Sequence, residues 1–131
     1  MNKTEIRENI IQYWMEKASE SIDSAKSEKQ SGRFSFAVNR AYYACFYSAC
    51  AVLLNEGEKF RKHSGVRGAL HRRLIKTGKI DASWGKFYDY IFDSRNRADY
   101  QEMVRFEDDE VEEIIETTIG FVKKMEELLR R

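Results

Sequence analysis

Apolar residues recur along the chain in two rhythms, and both are helical. Between Glu5 and about Gln30, Ile6, Ile10, Trp14, Ala18, Ile22 and Ala25 follow at intervals of three and four. That spacing lines them up on one stripe of a long amphipathic helix. From Ser35 to about Asn55 the spacing closes up: Ala37, Val38, Ala41, the run Tyr42 to Phe46 and the run Ala49 to Leu54 leave almost no polar face. A helix apolar all round predicts the middle of a bundle or a contact with a second subunit. Gly32 and Gly57 mark the stops on either side of it. A third, shorter helix is predicted to take Ser64 as its N-cap, carry Val66, Leu70 and Leu74 inward, and end at Gly78. Asp81 offers the next cap, and Trp84, Phe87, Tyr88, Ile91 and Phe92 make an aromatic face running toward Arg95. In the fifth helix, acidic Glu107 to Glu110 suit an N-terminus and Arg130-Arg131 a C-terminus, with Val111, Ile114, Ile115, Thr118, Val122, Met125 and Leu129 in heptad-like spacing between them. No repeat, low-complexity tract or linker interrupts the series. The pattern predicts one all-α domain over residues 1–131, an up-and-down bundle of four to five helices.

Composition agrees and narrows the function. A folded chain of 131 residues removes roughly two-thirds of its unfolded surface from water, enough for one core without a metal or disulfide staple. Proline is absent, so long helices meet no strong breaker. A net charge of +1, with 34% of residues charged, excludes a protein that holds nucleic acid by bulk electrostatics; any such binding needs a local patch. Cys45 and Cys50 lie five apart in one helix, point to different faces and do not suit a disulfide, which fits a reducing cytosol. No apolar run approaches the ~18 residues of a spanning helix, and the first residues lack a secretory signal. A cytoplasmic protein without membrane contact is expected.

Metal chemistry has little to build on. His63 and His71 are the only histidines, and Glu-x-x-His does not occur, so no metal and no cofactor are expected. No serine is singled out as a nucleophile, and no Gly-rich phosphate loop exists. What remains is a polar set in apolar surroundings. Asn39 and Arg40 interrupt the second helix, where burial demands a partner for each. Arg40 either bridges to a neighbouring helix or reaches outward, or the pair lines a cleft. Arg95 precedes Asp99-Tyr100, close enough for a pair that fixes a helix end. Arg61-Lys62-His63 gathers positive charge before the third helix, where backbone N–H groups also favour anions.

At these residues the sequence resembles the HEPN superfamily of small helical domains. The resemblance spans most of the chain: Tyr13 to Ala18 (YWMEKA), Phe36 to Tyr47 (FAVNRAYYACFY), Lys62 to Val66 (KHSGV) and Arg95 to Tyr100 (RNRADY), in that order and spacing. It implies a four-to-five-helix bundle that often dimerises, with a polar cleft near the dimer axis. It also implies a minimal nucleotidyltransferase as partner, the two behaving as toxin and antitoxin. Ribonuclease members carry an arginine, four to six residues, then a histidine. Neither histidine completes that motif here, because positions 56 to 58 and 64 to 66 hold no arginine. The motif arginine corresponds to Arg95, and after four intervening residues stands Tyr100 in place of histidine. A phenol of ordinary pKa near 10 is a poor general base at neutral pH.

The resemblance therefore implies a nucleotide- or RNA-binding module, with Asn39, Arg40, Tyr43, Arg61, His63, Arg95, Asp99 and Tyr100 as its ligand-binding set. Tyr100 would contact a nucleotide or be modified, as tyrosines near the motif in related toxins are adenylylated by the partner transferase. The enzymatic alternative is a metal-independent endoribonuclease in which Arg95 steadies the scissile phosphate and Tyr100 or His63 moves the proton. The third alternative is an adaptor whose apolar second helix forms a homodimer or docks a partner helix, without any ligand.

Overall fold

A computed structural model describes residues 1–60, 62–99 and 105–131 in full and Tyr100 by its backbone. Among these described residues, five α-helices form an up-and-down bundle: α1 (Lys3–Gln30), α2 (Phe34–Asn55), a short α3 (His63–Leu70), α4 (Ala82–Tyr100) and α5 (Asp108–Leu129). Among the described residues there is no strand. The Asn2 side chain caps α1 by accepting the Glu5 N–H at 2.8 Å. Its predicted stripe is inward from Ala18 to Ala25, while Ile6 stays 45% exposed. Gly32 takes a φ of +76°, a left-handed conformation that β-carbon-bearing residues resist, and so turns the chain from α1 into α2.

α2 is the axis of the bundle, as its apolar circumference predicts. Every residue from Ala41 to Leu54 is at least partly buried, and only Phe36, Arg40 and Asn55 are exposed. α1, α4 and α5 all pack on it. Its two cysteines are free and face different neighbours, Cys45 toward Thr118 of α5 and Cys50 toward a small aromatic recess with Trp14 and Phe60. Burial pushes both thiols up to about 12, so neither is a thiolate at neutral pH. α5 opens with a capping box between Glu107 and Glu110. Lys29 at the end of α1 pairs with Asp108 at 3.4 Å and Glu112 at 2.9 Å, bringing the end of α1 to the start of α5. Trp84 and Phe87 of α4 meet Phe121, and Tyr90 reaches Glu110, so α4 and α5 run antiparallel.

The third helix departs from expectation at both ends. It begins at His63 with Lys62 as N-cap, and no side chain caps it; Ser64, the expected cap, sits inside the first turn. The reason is tertiary: His63 is drawn in by Tyr42 and Phe46 of α2. Downstream the helix widens into a π-turn, His71–Ile75, before Gly78 ends it at φ +78°. α4 seats closely against this turn, because a Cβ on Gly85 would lie 2.9 Å from His71 Cε1 and 3.0 Å from Ile75 Cγ1. Asp89 latches the same turn through His71 Nε2 at 2.9 Å.

Candidate functional site

Two helical pairs build the site. On α2, Asn39 and Tyr43 stand one turn apart; on α4, Arg95 and Asp99 do the same. Facing each other across antiparallel helices, the four interlock. Arg95 Nε meets Asp99 Oδ2 at 2.8 Å, with the two side chains 15% and 24% exposed. Asp99 in turn accepts from Asn39 Nδ2 at 3.2 and 3.0 Å, and the Arg95 Nη2 donates to the Tyr43 hydroxyl at 3.2 Å. Arg40 is exposed, among the described residues it bridges to no other helix, and its Nη1 donates to Asn39 Oδ1 at 2.6 Å. The result is a continuous polar chain from Arg40 through Asn39, Asp99 and Arg95 to Tyr43. It satisfies Asn39 at both ends of its amide and holds the guanidinium of Arg95 in one orientation.

His63 closes the other side. Its Nδ1 shares a 2.6 Å hydrogen bond with the Tyr42 hydroxyl, and its ring stacks on Phe46 with centroids 4.3 Å apart. The Arg95 guanidinium lies over the rings of Tyr42 and Tyr43, 5.5 and 5.6 Å from their centroids. Burial raises the Tyr42 phenol above its ordinary value, so it remains protonated at neutral pH. Burial, and after it the positive charge of Arg95, hold the His63 imidazole below its ordinary value of 6.5. His63 is therefore neutral at pH 7. Because its folded pKa is the lower one, the unfolded chain binds the proton more readily. This residue's contribution to stability is full above its unfolded pKa near 6.5 and is lost as pH falls from there toward the folded value. A proton NMR titration should place the His63 midpoint below 6.5, and Arg95→Ala should raise it; a midpoint above 6.5 would contradict the arrangement.

Beside this chain, α1 and α2 enclose an open cavity of about 500 Å³, lined among others by Lys17, Ser21, Asn39, Arg40 and Tyr43. Its walls carry two cations, Lys17 and Arg40, and one carboxylate, Glu20, which stands 3.9 Å from Lys17. The balance suits an anion with room for more than a bare phosphate.

Of the residues expected from the sequence, Asn39, Arg40, Tyr43, His63, Arg95 and Asp99 are thus brought together. Arg61 and the side chain of Tyr100 lie outside the described residues. Tyr42 and Phe46 position His63, a role the sequence does not reveal, since nothing in it distinguishes a buried phenol that holds a partner from one that fills space. Lys17 falls within the 13–18 segment but nothing in the sequence assigns it a ligand, and Ser21, buried on α1, stands out in no pattern. Among the described residues, no three His, Cys, Asp or Glu side chains converge as a metal site would need. No described helix is long and apolar enough to cross a membrane.

Fold and site together define a helical-bundle domain with an arginine-centred polar cluster beside an open cavity. A family model described as the HEPN domain matches residues 11–128. The chain is 44% identical over 123 residues to a UPF0332 protein of Thermotoga maritima, covering 94% of this chain and 93% of that one. It is 34% identical over 130 residues to a protein of Methanocaldococcus jannaschii that bears the name of a candidate toxin, covering 99% and 95% of the two chains. A second candidate toxin of that organism is 30% identical over 119 residues, covering 91% and 81%. The chain belongs to the HEPN domain family.

Proposed function

We propose that this protein is the nucleotide- or RNA-binding HEPN component of a toxin–antitoxin-type pair, acting beside a minimal nucleotidyltransferase, with two copies pairing near the cleft. The observation that carries the proposal is Arg95, oriented by Asp99 and Tyr43 with Arg40 and His63 beside it. A guanidinium fixed in this way presents a pre-aligned donor fork to a phosphate, at little further cost in side-chain freedom. The two candidate-toxin names among its relatives favour the same setting.

The ribonuclease reading draws support from one specific feature, the neutral His63 next to the Arg95 charge. A neutral imidazole can take the proton of a ribose 2′-hydroxyl as its oxygen attacks the neighbouring phosphorus and the P–O5′ bond breaks, while Arg95 stabilises the charge gathering on the phosphate oxygens. The departing 5′-oxygen takes a proton from water, leaving a 2′,3′-cyclic phosphate and a 5′-hydroxyl. His63 suits that role better than Tyr100, whose phenol has the wrong intrinsic basicity. Incubating the purified protein with a mixed RNA in EDTA separates the two readings. Under the binding reading the RNA is retained at full length. Under the ribonuclease reading it is shortened without metal, and both Arg95→Ala and His63→Ala abolish the cleavage. An unchanged melting temperature across a panel of nucleotides and RNA oligomers would count against both.

A further inference from the structure

The charge of this chain is not spread evenly. Between positions 59 and 79 stand eight lysines and arginines and not one carboxylate, whereas the other 110 residues carry 15 cations against 22 carboxylates. That block comprises α3, the π-turn and their flanks. Ser64, Gly68, Arg72 and Lys76 recur along it at intervals of four and are all exposed, which makes a solvent-facing stripe. Its first half is low: nothing lies within 4 Å of where a Cβ on Gly68 would stand. Its second half is cationic. The π-turn rotates successive residues by less than an α-helix does, so the neighbours Arg72 and Arg73 converge on one carboxylate, Glu58, at 3.4 and 2.6 Å.

Among the described residues, three carboxylates pair with the seven described cations of this block: Glu58, Glu56 against Lys79, and Asp89 at 4.0 Å from Arg67. A surplus of positive charge therefore runs from Lys62 to Lys76, a length of about 20 Å at helical rise. Lys62 adjoins His63, so the stripe starts beside the cluster of Tyr42, His63 and Arg95.

We infer that this face of α3 and the π-turn is a track for the sugar–phosphate backbone of a single RNA strand entering the Arg95 cleft. The inference rests on the functional reading above and extends it from one phosphate to several. The character of the surface favours nucleic acid over an acidic protein. Its exposed positions bear no apolar side chain, so a protein partner would find no centre from which to exclude water. Backbone phosphates need only charge and hydrogen-bond donors, and a single line of cations matches a single strand.

The test is fluorescence anisotropy with 12-nucleotide single-stranded RNAs of several sequences, titrated across KCl concentrations. The triple variant Arg72→Gln, Arg73→Gln, Lys76→Gln should weaken binding roughly 10- to 100-fold near 0.1 M salt, equally for every sequence, and should flatten the log–log salt slope by about 2. Arg72→Lys with Arg73→Lys should stay within about twofold of the parent, which separates charge from fold. Glu58→Gln, which releases both arginines, should tighten binding roughly threefold. Arg95→Ala serves as the cleft control. If Arg95→Ala weakens RNA binding while the triple variant keeps the parental affinity and slope, the track is overturned and the cleft stands. A polyglutamate probe that binds as tightly as the RNA and is lost in the triple variant overturns it in favour of an acidic protein. If the unaltered protein binds no RNA, cleft and track fall together.

Discussion

Replacing Arg95 by alanine is expected to lower affinity for a nucleotide or short RNA by about 100-fold and to leave the protein folded. A charge-assisted hydrogen bond to phosphate contributes about 1.5–3 kcal/mol. The substitution also leaves Asp99 without its cation, and a bare carboxylate at the cleft repels an anion. The two effects act in the same direction. Stability should fall by about 1–3 kcal/mol, because Asp99 keeps both hydrogen bonds from Asn39 while the Tyr43 hydroxyl and Asn96 Oδ1 each lose a donor. Arg95→Lys retains the charge without the planar fork and should fall between the two. Calorimetry on the three proteins decides the matter: equal affinities would remove Arg95 from the site.

The largest effect on stability is expected at Phe121. Its side chain is fully buried, and its ring lies 6.0 Å from that of Trp84 and 5.7 Å from that of Tyr88. It is therefore the point where α5 meets the aromatic face of α4. Phe121→Ala should cost about 3–5 kcal/mol, the lost burial plus the cavity left between two helices. Against a total of about 5–15 kcal/mol for a domain of this kind, that is a substantial share. The melting temperature should drop by roughly 10–20 °C. Phe36, 58% exposed on α2, supplies the contrast: its replacement by alanine should change stability by no more than about 0.5 kcal/mol. Comparable losses at the two positions would show that the α4–α5 contact is not where the bundle is secured.

The helices were legible because each announces itself within a few turns of chain. α1 and α5 repeat at three and four, and the continuous apolar run of α2 has no place but the centre. Asn39, Arg95 and Asp99 were legible for the opposite reason: polar groups on apolar helices must find partners, and they found one another. Local capping preference points to Ser64 as the cap of α3, whereas contacts with Tyr42 and Phe46, 21 and 17 residues away, pull His63 into the helix. The π-turn left no mark in the pattern, since it depends on how Gly85 lets α4 approach. The cavity roles of Lys17 and Ser21 leave no mark in the sequence, because a partly exposed lysine and a buried helical serine look the same whether or not a cavity opens beside them.

The interlock of Asn39 and Tyr43 with Arg95 and Asp99 joins two properties that proteins usually keep apart. The same four side chains that aim the guanidinium also set the register between α2 and α4. Mutational drift at that crossing would blunt ligand recognition well before the bundle melted, and a change selected for a new ligand would have to be matched on the opposing helix. Specificity and architecture in this protein are therefore expected to evolve in step.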